Sequence, residues 1–166
     1  MMRTGSAVAR VISLAGAAVA VDQGSKALAL IHLRYRDGLD LLPGLRLTLA
    51  FNEGAGFGLL AGVMAGRPLL MAALTGGITL LFAVMALRSP GRWEQAGLAL
   101  ITGGSLGNIV DRLRQGAVTD FIDLYWRWPD GQTSHWPTFN GADIAIVLGA
   151  ACMLLSVLTD RRQTKP

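Results

Sequence analysis

The chain has 166 residues, 52% hydrophobic and 16% charged, with a net charge of +4 and one cysteine. A soluble domain of this length carries about 25% charged residues, so this composition, with a mean hydropathy of +0.45, excludes an ordinary soluble globule and points to a bilayer. The basic residues flank apolar segments instead of forming one stripe, which argues against nucleic acid as a partner. The lone Cys152 and the isolated His32 and His135 exclude an intrachain disulfide and offer no metal-ligand set.

A helix needs about 20 apolar residues to cross a bilayer. The first such stretch is Val11–Leu30, interrupted by Asp22 and Lys26. Arg3, Arg10 and Ala18-Val-Ala20 imitate a cleavable signal peptide, but apolar character resumes after Asp22 and runs to Leu33, so the segment reads as a retained span. Asp22 and Lys26 are four apart and share a helix face, either as a self-satisfied ion pair or as one wall of a site. Leu45–Phe51 alternates apolar and polar residues, the pattern of a strand. Gly54–Leu60 is a glycine-rich bend leading to Phe57, Leu59 and Leu60, an apolar patch suited to the interface plane.

The second span, Pro68–Leu87, has no charge, and the turn Arg88-Ser-Pro-Gly-Arg92 follows it. The third, Trp93–Val110, carries only Glu94, at its edge. Its Gly103-Gly-Ser-Leu-Gly107 stretch puts small residues four apart, the spacing of close helix packing. Asn108 and Arg112 share a face of this helix, while Asp111 is offset toward another neighbour. Tyr125, Trp126, Trp128 and Trp136 surround the turn signal Pro129-Asp-Gly131 and read equally as an interfacial aromatic belt or as substrate contacts. The fourth span, Phe139–Thr159, has Asp143 near its start. Together these segments predict an all-α membrane protein, a four-transmembrane-helix bundle forming a single domain over residues 1–166.

Orientation follows the basic residues. The first ten residues, the 88–92 turn and the 160–166 tail hold seven Lys/Arg in 22 residues, against seven in the 65 residues of 31–67 and 111–138, which also hold seven acids. Both termini are therefore expected in the cytoplasm. Asp22, Asn52, Asn108, Asp111, Arg112, Asp120, Asn140 and Asp143 then converge near the outer surface. Carboxyl groups at a membrane boundary are costly and mark function. Asp120 and Asp143 on neighbouring segments suggest a pair sharing one proton and activating water. They are 23 residues apart, however, and a solvated loop acid and a helix-start acid account for them equally by spacing. A small proton-coupled transporter or a non-catalytic assembly protein stays open at this point, although the transporter would place its acids nearer the midplane.

Five motifs decide between these. Asp22-Gln-Gly-Ser-Lys26, Asn52-Glu-Gly-Ala-Gly-Phe-Gly58, Gly103-Gly-Ser-Leu-Gly-Asn-Ile-Val-Asp-Arg112, Val118-Thr-Asp-Phe-Ile-Asp123 and Phe139-Asn-Gly-Ala-Asp-Ile-Ala-Ile146 occur in order along the chain. In this arrangement the chain closely resembles the lipoprotein signal peptidases, the type II signal peptidases of bacteria. The resemblance implies an aspartyl endopeptidase of the inner membrane, acting on prolipoproteins whose cysteine carries diacylglycerol and cutting N-terminal to that cysteine. It maps the catalytic dyad onto Asp120 and Asp143, and supporting polar residues onto Asp22, Lys26, Asn52, Gly104, Asn108, Arg112 and Asn140. It further implies a small extracytoplasmic β cradle beside an interfacial helix. No cofactor or metal is expected, membrane lipid is the other partner, and the protein is expected to act as a monomer. Gly56 and Ser105 stand where the family commonly has alanine, and the Trp126–Trp136 insert is long, departures that touch loop detail.

Overall fold

The computed structural model describes residues 2–54 and 66–163. Beyond Gly54, the expected interfacial segment with Phe57, Leu59 and Leu60 lies outside the described residues. The elements in chain order are α1 (Met2–Leu33), β1 (Leu39–Leu42), β2 (Leu45–Asn52), α2 (Pro68–Arg88), α3 (Arg92–Gln115), β3 (Val118–Arg127), β4 (Thr133–His135) and α4 (Gly141–Gln163).

Local chemistry fixes several boundaries. Pro68 opens α2, where its missing N–H costs nothing and its φ is already helical. At the end of α3, Gly116 takes φ +81° and its N–H donates to the Arg112 carbonyl, a left-handed cap that a side chain would strain. That cap turns the chain directly into β3. The fourth helix begins at Gly141, two residues later than the apolar run suggests. The reason is that Phe139 exchanges backbone hydrogen bonds with Ile122 of β3 (Phe139 N–H to Ile122 O, 3.1 Å; Ile122 N–H to Phe139 O, 2.9 Å).

Among the described residues, three helices are long and apolar enough to cross a membrane: Gly5–Leu33, Pro68–Arg88 and Gly141–Leu158. Their outward faces carry large apolar side chains such as Ile12, Val21, Ile31, Leu69, Leu80, Val147 and Leu154, each more than 60% exposed. Exposed apolar surface on this scale requires a non-aqueous surrounding. The remaining long helix, α3, is less apolar, and its position accounts for this. It packs against α1, α2 and α4, and its buried residues include Gln95, Thr102, Gly103, Gly104, Gly107, Asn108 and Asp111. A helix wrapped by other helices meets protein more than lipid, so small and polar residues suffice.

The small residues let the backbones approach. A Cβ on Gly103 would lie 2.5 Å from the Ala15 carbonyl of α1, and one on Gly104 would lie 2.5 Å from the Ala142 carbonyl of α4. An apolar cluster of Val11, Ala86, Leu98 and Ala99, with Leu14, Phe82 and Met153 against it, closes the other end of the bundle.

The sheet is antiparallel, in the order β1-β2-β3-β4. Strand β2 agrees with the alternation at 45–51 and pairs with β3 in a register that sets Leu47 opposite Ile122 and Ala50 opposite Asp120. The turn signal at 129–131 becomes the β3–β4 hairpin, closed by the Trp128 N–H to the Gln132 carbonyl at 2.8 Å. Ala29 and Leu33 of α1 pack with Phe121, Leu47, Leu49 and Ile122, which seats the sheet on the end of the bundle where the unusual polar residues gather.

Candidate active site

Two features of the backbone bring Asp120 and Asp143 together. Asp120 is the third residue of β3, two before Ile122, and Asp143 is four residues after Phe139. The Ile122–Phe139 bridge therefore aligns the start of α4 with the start of β3. Asn140 completes the connection. Its Nδ2 donates to Asp120 Oδ1 at 2.6 Å, its backbone N–H donates to Asp143 Oδ2 at 3.1 Å, and its Oδ1 accepts from the Asp143 N–H at 3.1 Å. The last two bonds form a reciprocal cap of the kind that closes helix N-termini, with aspartate in place of glutamate. Asp143 is thus the helix-start acid that its sequence context suggested, and at the same time a neighbour of Asp120.

The flanking side chains come from three elements, α1, β2 and α3. Asn108 on α3 donates through Nδ2 to Asp143 Oδ1 at 3.1 Å, and its Oδ1 accepts from Lys26 Nζ at 2.9 Å and from Asn140 Nδ2 at 3.3 Å. Asn52, the last residue of β2, donates to Asp120 Oδ2 at 3.3 Å and accepts the Gly54 N–H at 2.9 Å. Arg112 lies within Coulombic reach of Asp120, Asp143 and Asp111. Its Nη1 donates to the Asn108 carbonyl at 3.4 Å, and its buried Nε has no hydrogen-bond partner. Gly104 contributes clearance for the first turn of α4.

Beneath this layer is a buried ion cluster. Lys26 Nζ lies 2.9 Å from Asp22 Oδ2 and 3.0 Å from Asp111 Oδ2, with all three residues at most 6% exposed. Asp22 Oδ1 accepts the Ala142 N–H at 2.9 Å, tying α1 to the start of α4. Asp111 accepts the Thr119 N–H at 2.9 Å and Gln23 Nε2 at 2.9 Å, tying α3 to β3 and α1. The ion-pair reading of Asp22 and Lys26 is met, and Lys26 also donates to Asn108. Gln23 and Asp111 belong to this cluster, although the expected site set omits them. Both stand inside the motifs, and the offset of Asp111 from the Asn108–Arg112 face was the available signal.

Asp120 is only 2% exposed. Burial pushes its carboxyl up from the usual 3.8 to about 6, the Asp143 charge adds to this, and the Asn140 and Asn52 hydrogen bonds and Lys26 oppose it. A carboxyl whose folded value is raised contributes stability that is present below about pH 4 and lost as pH rises through about 6. The unfolding temperature should accordingly fall across that interval, and Asp120→Asn should remove that part of the slope. An unchanged slope in the variant would show that Asp120 titrates like an ordinary carboxyl.

A model of the family described as "Signal peptidase (SPase) II" matches residues 14–159. The chain is 36% identical to a lipoprotein signal peptidase of Acinetobacter baumannii, covering 92% of this chain and 85% of that one. It is 36% identical to one of Geobacter metallireducens, covering 94% and 96%, and 39% identical to one of Yersinia pestis, covering 85% and 82%. A solved bacterial membrane enzyme, determined by the in meso method at 2.3 Å, superposes with a TM-score of 0.75 at 26% identity, covering 93% of this chain and 91% of that one. Likeness of this extent, on a bundle with lipid-facing helices, makes the chain a membrane peptidase. It belongs to the signal peptidase II family. Its activity is the removal of signal peptides from prolipoproteins, by aspartic chemistry.

Proposed function

We propose that the chain is an intramembrane aspartyl endopeptidase in which Asp120 and Asp143 are the catalytic dyad, and that it cuts diacylglyceryl-modified prolipoproteins N-terminal to the lipidated cysteine. The observation that carries this reading is the bridging of both carboxyls by Asn140 (2.6 Å to Asp120, 3.1 Å to Asp143) at one end of the bundle. Two carboxyls this close, in a poorly solvated place, share a single proton. The deeper Asp120, already pushed up to about 6, holds it. Asp143 then takes a proton from water as the water oxygen attacks the scissile carbonyl carbon. Asp120 donates its proton to the carbonyl oxygen. Collapse of the tetrahedral intermediate breaks the C–N bond, with Asp143 delivering a proton to the cysteine amine and Asp120 recovering its own from the hydroxyl. Asn52, Asn108 and Asn140 hold the pair, Arg112 balances its charge, and Asp22 and Lys26 fix the platform.

The finer setting belongs to the same proposal. The single domain has four spans, about 11–30, 68–87, 93–110 and 139–159, with α3 as the fourth, protein-wrapped one. It sits in the bacterial inner membrane with both termini cytoplasmic and the dyad near the outer face. The sheet cradles substrate beside the interfacial segment, lipid surrounds the bundle, and one chain is the working unit. Cysteine labelling on a Cys152→Ala background tests the orientation: positions near Asp37 and Gly131 should label from outside and the termini should not. The reverse pattern would put the dyad on the cytoplasmic side.

Each buried methylene contributes about 0.8 kcal/mol, so two acyl chains can dominate binding while small residues let the peptide reach the dyad. Purified protein should therefore cleave a diacylglyceryl-cysteine peptide with a kcat/KM at least a hundredfold above that of its unlipidated twin. Mass analysis should place the cut directly before the cysteine. Equal values for the two peptides would make this a general membrane peptidase.

A further inference from the structure

At the end of the bundle away from the dyad, a cavity of about 320 Å³ is lined by Arg10 of α1 and by Arg92, Trp93 and Ala96 of α3. Arg10 is held in place: its Nη1 donates to Gln95 Oε1 at 2.5 Å, and Gln95 is 2% exposed and donates in turn to the Ala86 carbonyl at 3.2 Å. Holding a guanidinium by a neutral glutamine fixes its direction without neutralising it. Among the described residues neither Arg10 nor Arg92 forms an ion pair, and the nearest acid in sequence, Glu94, accepts the Ser89 hydroxyl at 2.7 Å instead. Two cations, one of them preorganised, thus face a concavity in which no acid among the described residues pairs with them.

The position of this cavity indicates what fills it. From Arg92 to Asp111 along α3 is about 28 Å at 1.5 Å per residue, close to the thickness of a bilayer's hydrocarbon core, about 30 Å. With the dyad at one interface, the two arginines are at the other, at the depth of lipid phosphates. Trp93, 63% exposed, is the residue type that settles at that depth. Arginine forks suit phosphate oxygens, and the cavity offers more room than a bare phosphate fills.

We propose that this cavity binds the phosphate of one anionic phospholipid headgroup, an inference that rests on the membrane placement argued above. The lipid would brace α1 against α3, the two helices that carry Lys26, Asn108 and Asp111 at the far end.

The test is native mass spectrometry of the delipidated full chain titrated with dioleoyl phosphatidylglycerol, with dioleoyl phosphatidylcholine and with inorganic phosphate. One phosphatidylglycerol should bind at least tenfold more tightly than phosphatidylcholine, and millimolar phosphate should not displace it. Neutralising one arginine should weaken the site roughly fivefold and both roughly 25-fold, as read in Arg92→Gln and in Arg10→Gln/Arg92→Gln. Equal binding of the two lipids, displacement by phosphate, or unchanged affinity in the variants would each overturn the proposal. Should the double variant fail to fold, Arg92→Gln and Trp93→Leu, both at exposed positions, decide alone. Cleavage of the lipidated peptide by the same samples separates the two questions. A wild-type protein that cleaves but does not discriminate between lipids refutes the headgroup site and leaves the peptidase reading intact.

Discussion

Lys26→Met should destabilise the folded protein by about 3–5 kcal/mol and lower its unfolding temperature by roughly 10 °C. The substitution keeps most of the side-chain volume, so the loss is electrostatic. Lys26 Nζ stands between Asp22 and Asp111 at 2.9 and 3.0 Å. Without it, two carboxylates with almost no access to water face each other with no counter-ion between them, while still bound to the Ala142 and Thr119 amides. Neither can turn to solvent without breaking a helix or strand end. Asn108 also loses the shorter of the two hydrogen bonds that hold its Oδ1, so cleavage should fall beyond what the lower stability explains. Thermal unfolding in a fixed detergent checks the first claim. A midpoint within about 2 °C of wild type would mean that the cluster is solvated and carries little structural weight.

The long apolar segments were legible because bilayer thickness sets their length and nothing competes with that demand. The boundaries of α2, Pro68–Arg88, follow the uncharged run Pro68–Leu87, and β2 follows a clean alternation. The start of α4 was misjudged by two residues because Phe139, apolar and adjacent, is taken by a backbone pairing with Ile122 that hydropathy does not register. Strands β1 and β4, four and three residues long, are too short to show a period, and they exist because β2 and β3 offer edges to pair with. Residues 93–110 read as a span from their near lack of charge, although the glycines and buried polar residues of α3 make it less apolar than the other three helices. The Gly103–Arg112 motif falls within that same span. As for the site, the residue types and their gathering at one end of the bundle were readable, but the meeting of Asp120 with Asp143 was not. It depends on one β-bridge and on Asn140 turning its side chain to one carboxyl and its backbone to the other. The partnership of Gln23, Lys26 and Asp111 likewise depends on how α1 crosses α3, which spacing along either helix does not contain.

Asp120→Asn and Asp143→Asn should each abolish cleavage, a loss of several orders of magnitude, because in the proposed dyad the two carboxyls share one proton, which removing either member forfeits. Both variants should still insert. The Asn140–Asp143 cap has an amide counterpart, and Asp120→Asn keeps the size and shape of the side chain at the start of β3. The contrast with Lys26→Met is the diagnostic feature: there stability and activity fall together, whereas at the dyad activity falls alone. The most direct measurement is kcat/KM on one diacylglyceryl-cysteine peptide for wild type and the two asparagine variants, purified in the same detergent and matched for unfolding temperature. Rates for both variants at the uncatalysed background would agree with a dyad of Asp120 and Asp143. Turnover by either within tenfold of wild type would contradict it.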